Sequence, residues 1–182
     1  MTVRARRTLC VAAAAALYTS VTLAQEHKHE AGKALIGRVV FPVSCSAEAA
    51  GHFERATAML HSFWFEAAET AYLRAFWADS TCGMAQWGIA MTLLGNPFTR
   101  VSPPNERLRA ALAAAEKAQT LTRAVSRREQ LYADAVLALY RDWNTLPHAT
   151  RMQRHEASLK VAADSLPNDP EAATFYARAI IA

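Results

Sequence analysis

From Ser46 to the last residue the apolar positions recur every three or four residues. Phe53, Ala56, Leu60 and Phe63 are separated by three, four and three positions, which places them on one face of a helix with 3.6 residues per turn. Phe65, Ala68, Tyr72 and Ala75 repeat that spacing for a second helix, and Met84, Trp87, Met91 and Leu94 for a third. Gly95-Asn96-Pro97 ends the third helix, because proline lacks an amide donor and clashes with the preceding turn. The loop runs on to Ser102-Pro103-Pro104, where Ser102 is placed to cap the next helix with Pro103 at its first position. Leu108, Leu112, Ala115 and Ala118 give that helix its apolar stripe. Ser126-Arg127-Arg128-Glu129 has capping-box spacing and opens a helix that turns Tyr132, Ala135, Val136, Leu139 and Tyr140 inward. A sixth helix after Pro147 has Met152, Glu156, Leu159, Ala163 and Leu166 on one side, and Asp169 caps a last helix running from Glu171 to Ala182. Ahead of all this, Gln25 to Glu30 reads as a mobile polar tail, and Ile36 to Val43, broken by Pro42, as an extended arm laid against the helices. Neither strand-like alternation nor a glycine-rich nucleotide loop interrupts the helical series, so the pattern predicts an all-α chain.

Composition is that of ordinary globular sequence, with 52% hydrophobic and 20% charged residues among 182. A chain of this length supports a core without requiring metal or disulfide. Charge changes the picture once its location is considered. Arg4, Arg6 and Arg7 precede an apolar run from Leu9 to Ala16 that closes in Thr22-Leu23-Ala24, the pattern of a secretory signal cut after Ala24. The run is too short to serve as a permanent membrane span, and no later stretch is long and apolar enough. The expected division is therefore a signal over 1–24, tail and arm over 25–45 and a helical domain over 46–182, in a periplasmic or secreted protein. Loss of the signal takes basic side chains from 20 to 17 against 16 acidic ones, a net charge of about +1, so a nucleic-acid partner is not expected. Cys10 leaves with the signal. Cys45 and Cys82 remain as a candidate disulfide in an oxidising compartment, with two small buried residues as the alternative.

The segment Phe63 to Ser80 resembles the second half of a tetratricopeptide repeat (TPR). Phe65-Glu66-Ala67-Ala68 matches its small-residue knob, Tyr72 and Ala75 fall four and seven positions later, and Asp79-Ser80 stands where Asp-Pro often ends the repeat. Ala85-Gln86-Trp87-Gly88-Ile89-Ala90-Met91 resembles the opening of the next repeat. Together with His61-Ser62-Phe63-Trp64, these segments are similar to a group of longer exported bacterial TPR proteins. The resemblance implies antiparallel helix pairs stacked as a right-handed superhelical solenoid whose concave face binds peptide or protein segments. It carries no catalytic residues. Because the similar proteins are longer, and Phe175, Tyr176, Ala179 and Ile180 form a stripe with no following helix, the domain is expected to be truncated at its C-terminus or to self-associate through its last helix.

On this reading the chain is a scaffold for an unidentified protein or peptide partner, with no catalytic activity and no cofactor. His61, Trp64 and Trp87 are the candidate partner-binding residues, offering two amphipathic rings and a helix-end hydrogen-bonding group. The alternative is a periplasmic metal-binding accessory protein. Its ligands would be His27 and His29, flanked by Glu26 and Glu30, with His52 as a further donor. Asp134, Asp142 and Asp164 lie among Arg128, Arg141 and Lys160 and read as a solvated charged face.

Overall fold

A computed structural model describes residues 36–182, and among them the chain is all α-helical apart from loops and one short 3-10 turn. The helices are α1 Ala47–His61, α2 Phe65–Ala78, α3 Gly83–Leu93, α4 Asn105–Thr122, α5 Arg127–Tyr140, α6 His148–Ser165 and α7 Pro170–Ile181, with the 3-10 turn at Pro97–Thr99. Each helix packs on the next in sequence, and α3 also touches α1 and α5. No helix among the described residues is long and apolar enough to cross a membrane.

Side-chain caps fix three of the seven helix starts among the described residues. The Ser46 hydroxyl accepts from the Ala49 amide at 3.3 Å, Ser126 accepts from Glu129 at 3.2 Å, and Asp169 accepts from Glu171 at 3.0 Å and Ala172 at 3.4 Å. These bonds satisfy first-turn donors that have no partner within the helix. At Ser102 the expectation fails. Helix α4 starts at Asn105 with Pro104 before it, and the Ser102 hydroxyl instead accepts from Arg151 Nη2 at 3.1 Å.

Packing revises two further helices. Helix α3 was expected to bury one stripe, yet every residue from Gly83 to Leu93 is buried, because α3 is enclosed by α1, α2, α4 and α5. Gly88 is required there, since a Cβ at this position would overlap the Tyr72 ring of α2. Helix α6 is turned from its expected face: Arg151, His155, Leu159 and Ala162 are buried, while Met152, Ala163 and Leu166 pack only partly against the core. The reason is polar. Arg151 Nη1 donates to the Leu139 carbonyl at 3.4 Å and His155 Nδ1 to the Ala135 carbonyl at 2.7 Å, and apolar periodicity does not count such residues as interior. The C-terminal stripe divides as well, with Phe175 buried and Ile180 and Ile181 exposed.

Candidate functional site

Trp87 corrects the expectation of a surface-binding residue. It is 1% exposed, and its ring lies against those of Phe41, Phe53, Tyr72, Tyr132 and Phe175 at centroid distances of 5.1–6.4 Å. Phe63 also departs from the inward stripe of α1, because the helix stops at His61. His61 turns toward α7, where Nε2 donates to Glu171 Oε2 at 2.8 Å and the ring sits 5.2 Å from Phe175. Trp64 is exposed. Cys45 and Cys82 are joined as a disulfide with Cα atoms 5.0 Å apart. His27 and His29 lie outside the described residues, and among those described no group of three or more His, Cys, Asp or Glu side chains is placed to hold a metal.

Of the exposed aromatic residues, Phe63, Trp64 and Phe98 gather where two helix ends meet, while Trp77, 73% exposed, lies in the last turn of α2. After α1 the Phe63 amide donates to the Leu60 carbonyl at 3.2 Å and the Trp64 amide to the Met59 carbonyl at 3.0 Å. This is the Schellman arrangement, which asks for a left-handed residue and usually takes glycine. Phe63 holds that place at φ 61° and is 44% exposed. Trp64, 49% exposed, then sits at the N-cap of α2 and offers no side-chain acceptor to its first turn. From the other side, Asn96 accepts from the Phe98 amide at 3.0 Å and folds the 3-10 turn, so that Phe98, 40% exposed, comes within 5.7 Å of Phe63. Phe65 meets the Phe63 ring edge-on at 5.9 Å.

Between these elements lies an open groove of about 520 Å³ lined by Phe63, Trp64, Phe65, Glu66, Gly95 and Arg107. Arg107 is fixed by donation to the Leu93 and Thr92 carbonyls, both at 3.4 Å, where its charge suits the C-terminal end of α3. The groove thus offers apolar faces with a cation and a carboxylate at its edges. Chemically it can bind an amphipathic segment. Sequence reading identified Trp64 here but missed Phe63 and Phe98; the usable signals were a helix end without glycine at Ser62-Phe63 and the Asn96-Pro97 turn.

A second aromatic cluster is closed. Phe41, from the segment before α1, is fully buried among Phe53, Trp87, Tyr132 and Phe175. Arg128 on α5 stacks on Phe41 at 4.3 Å, donates to the Pro42 carbonyl at 2.6 Å and pairs with Asp169 at 2.6 Å. Tyr132 donates to the same carboxylate at 3.0 Å. Burial alone would raise the Asp169 carboxyl, but the hydrogen bond and charge of Arg128, with Tyr132 and the Ala172 amide, hold it below the usual carboxylate range. Glu129 completes only half of its capping box. Its carboxylate reaches past Ser126 to accept from the Ser44 amide at 2.6 Å.

Interior charge is sparse and costly. Burial pushes the His155 imidazole down to about 4, against a smaller upward effect of the bond to Ala135. Burial, followed by the neighbouring Arg151, also lowers His148. Since the guanidinium of Arg151 can only donate, His148 Nδ1 accepts from it at 3.3 Å. No known protein family matches this chain, and no curated protein or solved structure is significantly similar to it.

Proposed function

We propose that the chain is an exported helical-repeat scaffold, a right-handed TPR-like solenoid of antiparallel helix pairs, that binds an extended protein or peptide segment and acts by binding rather than catalysis. The observation that carries this reading is Phe63. A bulky residue occupies the left-handed position that favours glycine, and its ring stands in solvent beside Trp64 and Phe98. Such a conformation costs about 1–2 kcal/mol, and strain of this kind gathers at functional sites. Clustered exposed aromatic residues are the usual anchors of protein interfaces. Export is supported by the signal-like pattern of residues 1–24 and by the Cys45–Cys82 bond, which suits an oxidising compartment. The pairwise succession of helix contacts supports the repeat arrangement.

The test is a peptide-array screen against the oxidised full chain, followed by calorimetry of the selected peptides with a Trp64→Ala/Phe98→Ala variant. Affinity is expected to fall at least tenfold with helicity unchanged. Peptides that bind the variant as well as the parent would remove the groove from consideration.

A further inference from the structure

Residues 39–45 are held in the manner of a bound peptide. Alternate side chains turn inward, with Val39, Phe41, Val43 and Cys45 buried or half-buried and Val40, Pro42 and Ser44 exposed, the period of an extended strand. The segment makes no backbone–backbone hydrogen bond to the described helices. Its main chain is instead gripped by side chains of α5: Arg128 donates to the Pro42 carbonyl, and Glu129 accepts from the Ser44 amide, both at 2.6 Å. The Phe41 ring enters a pocket whose walls are one ring from each alternate helix. These are Phe53 of α1 at 5.2 Å, Trp87 of α3 at 5.7 Å, Tyr132 of α5 at 4.9 Å and Phe175 of α7 at 6.4 Å. Main-chain grip with pockets for alternate side chains is how extended peptides are recognised. Just beyond, the Cys45–Cys82 disulfide ties the segment to the start of α3.

We propose that this groove is a recognition site for an extended segment of another polypeptide in which an aromatic–proline step is flanked by β-branched residues. The chain's own Val39-Val40-Phe41-Pro42-Val43 occupies it in cis, and the disulfide is the latch. The site's chemistry selects that occupant. Arg128 and Glu129 read one carbonyl and one amide of any extended chain, the ring pocket reads the aromatic residue, and proline at the next position supplies the gripped carbonyl without needing a donor partner. Opening the latch requires a dithiol reductant. Two electrons and two protons pass to the Cys45–Cys82 bond, leaving two thiols, and the dithiol closes to its own disulfide. The arm stays tethered at an effective concentration on the order of mM, so an incoming segment competes only with an unlatched arm. This pocket is separate from the Phe63 groove, and its failure would leave the reading of that groove standing.

The test uses the full chain carrying Phe41→Ala and Cys45→Ser, which empties the pocket and opens the latch, with a fluorescent peptide of residues 36–44 as probe. Anisotropy is expected to show saturable binding to this variant, none to the oxidised parent, and at least tenfold weaker binding when the peptide has alanine at the Phe41 position. Equal binding to the oxidised parent, indifference to the alanine change, or no binding to the folded variant overturns the proposal. Should the variant not fold, hydrogen exchange of the parent before and after dithiothreitol decides the matter. The Ser44 amide, held by Glu129, is expected to exchange at least tenfold faster while α3 and α5 stay protected. Loss of protection in α3 and α5 together with the arm would make Phe41 an integral core residue and overturn the proposal.

Discussion

Two aromatic clusters, built from the same residue types, behave oppositely in this molecule. Phe53, Trp87, Tyr132 and Phe175 project from within helices toward a common centre, and Phe41 plugs the space between them. Phe63, Trp64 and Phe98 all lie at helix ends: a left-handed C-terminal position, an N-cap and a 3-10 turn. The difference teaches that the backbone position from which a ring departs, as well as its hydrophobicity, decides whether it packs or stays exposed. A residue inside a helix is carried inward or outward with its face, as Trp77 of α2 is carried outward, whereas one at a helix end is free of that period.

Truncation puts the largest demand on this comparison. Trp87→Ala should cost about 3–5 kcal/mol through lost burial and a residual cavity, while Trp64→Ala should stay within about 0.5 kcal/mol; urea denaturation of both variants checks the contrast. Similar losses at the two positions would break it. Next comes the covalent tie on the buried side. Replacing both cysteines by serine opens a link spanning 37 residues and should cost about 2–4 kcal/mol, measured as the shift in denaturation midpoint, with little change in binding at the Phe63 groove.

Acid should also separate the two regions. His155 has a folded pKa of about 4 against an ordinary 6.5, so the unfolded chain takes up the proton first as pH falls. Its neutral form therefore costs nothing above about pH 6.5, and stability declines between there and about pH 4 by up to about 3 kcal/mol. A His155→Gln variant should lack that limb in a pH series of thermal melts. Asp169 acts in a lower window, since its depressed carboxyl stabilises the fold until pH drops below the ordinary carboxylate range. A smaller stability effect than any of the buried changes belongs to Phe63→Gly. Relief of left-handed strain, about 1 kcal/mol, offsets the lost contacts with Phe65 and Phe98, leaving stability within about 1 kcal/mol of the parent while peptide affinity at the groove falls. Calorimetry and denaturation on the same sample would show the two properties separating.

Much of the helical framework was legible because its causes are local. Ser126 and Asp169 cap helices through amides two or three residues away, and Gly95, in the left-handed region at φ 71°, takes the chain out of α3 ahead of Pro97. The candidate groove was less legible: Trp64 stood out as an aromatic beside a helix end, but Phe98 reaches the ring of Phe63 only through the turn between α3 and α4. Spacing already separated Trp87, on the stripe with Met84 and Met91, from Trp64, which lies on none, and the structure buries the first and exposes the second.

Taken by itself, then, the amino-acid order determined that the chain is helical, where most helices start and stop, and that an extended segment precedes them. These follow from period, capping bonds and proline geometry within a few residues. Only the tertiary structure decided that α3 is buried on every side, that α6 turns Arg151 and His155 inward, and that Glu129 leaves its own helix end to bind Ser44, 85 positions away in sequence. It also brought Cys45 and Cys82 within bonding reach and closed four helices around Phe41. Those outcomes depend on which polar groups and rings meet across long separations, and a buried arginine or an exposed phenylalanine is settled by its neighbours in space.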